Sequence, residues 1–188
     1  MIKLKHIIFF VGVLYACNAL DSERVLKASD PNLQLDNGVL LYKNTAFTGN
    51  LQTYYVSGNL KSDIEYVAGR KEGYEKHWFE NGSKSMERLY IKGVKSGVHK
   101  AWWNDTILKF EYHFNEKGEY HGIVREWYET KQLYRDFNYV NGKEVGRQRL
   151  WKPDGTIKAN YEVVGDERFG LIGLKKCYTV TTNSDEIK

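Results

Sequence analysis

Gly73-Tyr-Glu-Lys-His-Trp78-Phe79-Glu-Asn-Gly82-Ser-Lys-Ser-Met-Glu-Arg-Leu-Tyr90-Ile-Lys-Gly93-Val-Lys-Ser-Gly97 is one full turn of a repeat. The opening glycine recurs as Gly49, Gly73, Gly97, Gly122, Gly146 and Gly170, in steps of 24, 24, 25, 24 and 24 residues. Five residues after each of the first five stands an aromatic: Tyr54, Trp78, Trp102, Trp127 and Trp151. Self-similarity at a fixed period of this length is the signature of a repeat architecture, in which each unit buries surface against its neighbours.

Each unit divides into two strand-like runs. The first ends in paired aromatics such as Trp78-Phe79, Trp102-Trp103 and Trp127-Tyr128. A turn follows, as at Glu80-Asn-Gly82-Ser83 or Pro153-Asp-Gly155-Thr156. The second run closes on Tyr66, Tyr90, Phe114, Tyr139 or Val163, and a further glycine (Gly69, Gly93, Gly118, Gly142, Gly165) leads into the next unit. Aromatic and β-branched runs bounded by Gly, Asn and Asp read as hairpins, and no stretch carries the period of a sizeable helix. The expected fold is all-β: five stacked hairpins of about 24 residues in one elongated antiparallel sheet. At ~4.8 Å per strand, ten strands would extend roughly 48 Å. Segments 39–42 and 169–174 are expected to cap the open ends.

Within a unit, the sixth residue after the glycine is expected to face the eleventh, and the third the fourteenth. The third positions are Gln52, Lys76, Lys100, Arg125 and Arg149; the fourteenth are Asp63, Glu87, Glu111, Asp136 and Asn160. In the three middle units opposite charges therefore face each other, which stabilises a hairpin by roughly 0.2–1 kcal/mol per pair, while Gln52 and Asn160 leave the flanking pairs without one. The cations Lys100 and Arg125 could alternatively form a basic stripe for an anionic lipid or glycan. The row Trp78, Trp102, Trp127, Trp151 has two readings as well. As intramolecular glue it holds the units together; as a site it offers rings to a sugar chain, a lipid headgroup or a protein.

The N-terminus has Lys3 and Lys5 ahead of the apolar run Ile7–Leu14, then Tyr15-Ala16-Cys17, the layout of an export signal. The eight-residue run is far short of the roughly 20 residues that span a bilayer. Residues 14–17 resemble a bacterial lipobox, which implies cleavage after residue 16 and a lipid on Cys17. Plain cleavage near Ala19, giving a secreted protein, is the alternative. Residues 17–37 are expected to be a tether, with a short helix around 21–27, residues 38–174 the repeat array, and 175–188 a polar tail. The second cysteine, Cys177, then stands alone unless it bridges to Cys17. The net charge of +4 includes Lys3 and Lys5, and it is not clustered as a nucleic-acid footprint would be.

No catalytic constellation emerges. His77, His99, His113 and His121 lack the spacing of a metal site, and there is no nucleophile elbow, P-loop or CxxC. The chain is expected to be no enzyme and to need no cofactor.

The pattern Gly-x4-Trp/Tyr-aromatic-x2-Gly-x-Leu-Lys, then Tyr-x2-Gly-x3-Gly, seen from Gly49 to Gly73 and recurring to about residue 170, resembles the bacterial variant of the MORN repeat. Proteins of this type are often grouped as YwqK-type antitoxins, and many resemble exported lipoproteins. The resemblance implies a hairpin array with an interaction role and no catalytic residues. With the lipobox-like Cys17, it points to an envelope lipoprotein at the outer membrane or periplasmic face. Its expected role is protein interaction or scaffolding, the alternatives being a glycan- or phospholipid-binding module or an antitoxin bound to a toxin.

Overall fold

The computed structural model describes residues 24–173, and Cys17 and Cys177 lie outside them. The described residues contain no helix and sixteen strands. The first four are β1 (Val25–Lys27), β2 (Leu33–Asp36), β3 (Val39–Tyr42) and β4 (Thr45–Ala46). The repeats supply β5 (Gly49–Tyr54), β6 (Leu60–Val67), β7 (Arg70–Trp78), β8 (Lys84–Ile91), β9 (Val94–Trp102) and β10 (Leu108–Phe114). They continue as β11 (Tyr120–Trp127), β12 (Leu133–Val140), β13 (Lys143–Glu144), β14 (Gly146–Trp151), β15 (Ile157–Val164) and β16 (Glu167–Leu171). From β5 onward, consecutive strands pair antiparallel along one sheet, with only β13 off the main path.

Two turn chemistries alternate. On one side of the sheet, two-residue turns such as Ala68-Gly69 and Lys92-Gly93 have positive φ at both positions, the type I′ geometry whose twist matches that of the flanking strands. On the other side, three-residue loops close by paired bonds, as where Gly82 N donates to Phe79 O at 2.9 Å and Phe79 N to Ser83 O at 2.8 Å. The one 25-residue unit is explained here. Its second turn, Asn115 to Glu119, takes the longer loop where its counterparts take two residues.

The repeat glycine is a bulge. Between the Ile64–Glu75 and Tyr66–Lys71 pairs the register slips, and Gly73, with φ of 67°, lies in the extra segment. A bulge bends its strand and strengthens the local twist. Gly73 also pairs with Tyr90 in its own hairpin, and a side chain there would run into the Glu65 carboxylate.

The third and fourteenth positions pair as expected in all five units. The structure adds that each acid also faces the cation of the next unit: Asp63 with Lys76, Glu87 with Lys100, Glu111 with Arg125, Asp136 with Arg149. A ladder of alternating sign thus runs unbroken from Asp63 to Arg149 across one face. The sixth-to-eleventh pairing is corrected. The fifth residue meets the eleventh, as in Tyr54–Leu60 and Trp127–Leu133, because a bulge at the twelfth position follows the turn.

The opposite face holds the core. Val124, Phe137, Tyr139, Ala159 and Tyr161 form one buried cluster, with Tyr112, Tyr120 and Leu150 packed on it. The row Trp78, Trp102, Trp127, Trp151 shares the face of the charge ladder and is only half-buried. These tryptophans are less buried than the rings of the core cluster. They sit at strand ends beside the loops, where fewer side chains reach them than at mid-strand.

The expected tether is corrected too. β1 pairs parallel with β5 and closes that edge of the main sheet, so residues 25–27 are strand where a helix was expected. β2, β3 and β4 form a separate small sheet, so 39–42 caps the array from outside it. That sheet is joined to the array by bonds from Leu40 N to Gly69 O (2.8 Å) and Gly69 N to Phe47 O (2.7 Å).

Gln148 replaces a length of backbone pairing. β12 and β14 share only the pairs Arg135–Leu150 and Asp136–Arg149. Beyond them the fully buried Gln148 amide accepts from Asn138 N (3.0 Å) and donates to Asn138 O and Val145 O (both 2.9 Å). Gln148→Leu should lower stability by about 2–4 kcal/mol in denaturant titration, because buried peptide groups lose their partners at roughly 1–3 kcal/mol each.

Candidate functional site

The bulge at the twelfth position places that residue beside the sixth of the same unit. Lys61 Nζ lies 5.4 Å above the Tyr55 ring and Lys109 Nζ 4.3 Å above Trp103. The fourth unit has Tyr134 where the first, third and fifth have Lys61, Lys109 and Lys158, and its ring meets Tyr128 edge-on at 5.2 Å. The sixth residue also ties successive units together. Tyr55 Oη donates to Trp78 O (2.8 Å), Trp103 Nε1 to Trp127 O (2.9 Å) and Tyr128 Oη to Trp151 O (3.1 Å).

Where the third unit meets the fourth, these side chains border an open cleft of about 250 Å³. Trp103, Tyr128 and Tyr134 contribute rings on the loop side, Trp127 borders it, and Phe110 and Tyr112, stacked at 4.3 Å and nearly parallel, continue the wall toward the core. Glu126 is the one carboxylate in the lining. Its Oε1 accepts from Tyr112 Oη and Arg135 Nη1, both at 2.9 Å. Arg135 in turn donates to Tyr139 Oη at 2.9 Å and lies 4.5 Å above the Phe137 ring. Burial, and then the Glu126 charge, push the Tyr112 hydroxyl well above its ordinary pKa, so it stays a donor. The Tyr112 and Arg135 bonds are both made to Oε1 of Glu126.

Of the residues singled out in the sequence, only Trp127 lines this cleft. Trp78 and Trp151 accept bonds through their backbone carbonyls, and Trp102 has Lys84 Nζ 5.9 Å above its ring. Lys100 is bound to Glu111 at 3.0 Å and Arg125 to Asp136 at 2.7 Å. Trp103 stands in the sequence as one of the paired aromatics without a site role, and Tyr134 and Glu126 carry no expectation there. The signal was present: the fourth position reads Thr53, His77, Ala101, Glu126, Leu150, so the carboxylate occurs once in five units.

A second hollow, of about 500 Å³, lies between the small sheet and the array, lined by Leu35, Tyr66, Arg70, Lys71 and Tyr90. Its chemistry is taken up internally. Lys71 Nζ binds Glu75 at 2.7 Å while lying 5.0 Å above the Tyr90 ring.

Two buried groups on the core face make stability depend on pH. Burial pushes His99 below its ordinary pKa of 6.5, against the bond from its Nε2–H to Leu89 O at 2.8 Å. His99 is thus neutral in the fold, while the unfolded chain takes up its proton below about 6.5. Burial works to raise the pKa of Glu75, but hydrogen bonds from His77 and Lys71 outweigh it and hold the carboxyl at about 2. The stabilisation due to Glu75 is therefore complete above the ordinary value of 4.5 and is lost as pH falls from there toward 2. Thermal melts should accordingly drop in two stages on acidification. His99→Phe should flatten the stage just below pH 6.5, and Glu75→Gln the stage below 4.5. If neither variant changes the profile, other groups control it.

No protein-family model matches the chain, and no curated protein is similar to it.

Proposed function

We propose that this is a non-enzymatic repeat protein of the MORN-variant type, exported and lipid-anchored through Cys17, whose hairpin array acts as a binding or scaffolding surface at the bacterial envelope. The observation that carries this reading is where the polar side chains spend their bonds. The charged groups of the ladder and of the core face bond within the sheet: the alternating ladder on one face, and the Lys71–Glu75–His77 and Tyr112–Glu126–Arg135 groups on the other. What remains open is aromatic surface at the loop end of the units. Lys100 and Arg125 already face acids, which weakens the case for an anionic lipid on that face.

The test has two parts in cells that produce the protein. Cys17→Ser should release it from detergent-requiring membrane fractions with the fold intact, since a lipid anchor acts apart from the sheet. Retention of that variant in the membrane would overturn the anchor. A photo-crosslinking residue at Tyr128, beside the open rings, should give adducts, and one at Glu87, on the ladder, should not. Absence of adducts at both positions would overturn the binding surface.

A further inference from the structure

Resting on that reading of the array as a binding surface, we infer that the cleft between the third and fourth units is a subsite for one uncharged sugar ring of a glycan chain. A pyranose has an apolar face of C–H groups and a rim of hydroxyls that both donate and accept. The cleft offers the counterpart of each. Tyr134 and Tyr128 form walls on which such a face can stack, and Trp103, 37% exposed with Lys109 over one face of its ring, borders them. Glu126 Oε2 is an acceptor for the rim, and Lys109, at the mouth, is a donor. Aromatic rings have one apolar body and, in Tyr and Trp, one polar tip, which suits a ligand that is half wet.

The charges in and behind the cleft argue against two other occupants. A quaternary ammonium needs rings around an uncommitted carboxylate, whereas Arg135 already neutralises Glu126. A polyanion would need several free cations, and Lys109 is the only one in the lining. The size fits a single ring of a longer chain. About 250 Å³ is less than the roughly 300–1,000 Å³ of pockets that enclose a whole drug-sized ligand, and this cleft is open.

The cleft is also where the repeat departs from itself. At the preceding junction, the sixth, thirteenth and fifteenth positions and the following fourth hold Phe79, Met86, Arg88 and Ala101. At the next junction the same places hold Tyr128, Arg135, Phe137 and Leu150. Only here do they read Trp103, Phe110, Tyr112 and Glu126. If these rings served only to stack hairpins, the neighbouring junctions would need them equally.

The test is titration of the full chain, in detergent, with neutral hexasaccharides (cellohexaose, maltohexaose, mannohexaose and chitohexaose), followed by tryptophan fluorescence and ligand-observed NMR. At least one should bind. Tyr134→Lys restores the residue type of three other units, so it should fold normally and yet weaken binding about tenfold, a loss of about 1.4 kcal/mol. Glu126→Gln should weaken the same sugar, and Phe169→Ala, on β16 and outside the cleft, should not. Binding by none of the four sugars, or binding unchanged in Tyr134→Lys, overturns the sugar subsite. Adducts at Tyr128 in cells without sugar binding would leave the binding-surface reading standing and make the occupant a protein.

Discussion

Deleting the whole unit from Gly97 to His121 should leave a shorter protein that still melts cooperatively, whereas deleting only Trp103 to Phe114 should abolish the fold. Whole-unit deletion joins Ser96 to Gly122, which is the junction every other unit uses. Glu87 then faces Arg125 in place of Lys100, so the charge ladder keeps its alternation. Stability in such arrays is close to a sum over units and interfaces. The partial deletion removes β10 alone and leaves β9 and β11, which run in the same direction, joined by the few residues from Asn115 to Glu119. Parallel neighbours need a crossover of about a dozen residues or more, so everything after the cut would have to reverse direction. Reversal takes Arg125 and Arg149 out of register and turns the core cluster away from its partners. Circular dichroism melts of the two proteins check this. Equal damage from both deletions would mean a closed core that spans the units.

The order of the repeat strands and the mid-strand register of their five hairpins were legible in the sequence because two independent signals agreed. The glycine period set the length of the unit, and the exchange of charge between positions three and fourteen set the pairing. The continuation of the ladder from unit to unit was less visible, since it depends on how the bulge at each repeat glycine resets the register. The N-terminal strands could not be read. Val25–Lys27 is three residues long, and its pairing is made with an element twenty-five residues away, so local pattern carries no trace of it. Which face is buried could not be read for a related reason. Both faces are rich in rings, and alternation alone cannot say which one is covered. The cleft was hidden by the regularity of the repeat: Glu126 and Tyr134 stand out only when each position is compared down the units. The eye had instead followed the tryptophan at the fifth position, which is the same in four of them.

Which aromatic row holds the sheet together is decided by comparing Phe137→Ala with Trp102→Ala. Phe137 is 5% exposed, lies under the Arg135 guanidinium at 4.5 Å and meets Tyr161 edge-on at 6.1 Å. Truncating a large buried aromatic costs about 3–5 kcal/mol. In a chain of this length that should lower the melting temperature on the order of 10 °C, at roughly 2–4 °C per kcal/mol. Trp102 ends its strand beside a loop, is half-buried and has Lys84 as its ring neighbour at 5.9 Å. Its truncation removes less buried surface and leaves the backbone pairing to Leu108 in place, so the loss should be no more than about half that of Phe137→Ala. A Trp102→Ala melt as low as that of Phe137→Ala would return the tryptophan row to the centre of the fold. The expected order follows from where the side chains lie along the strand. At mid-strand a ring is flanked by both neighbouring strands and by residues two places away on its own; at the strand end, next to a loop, half of those neighbours are missing.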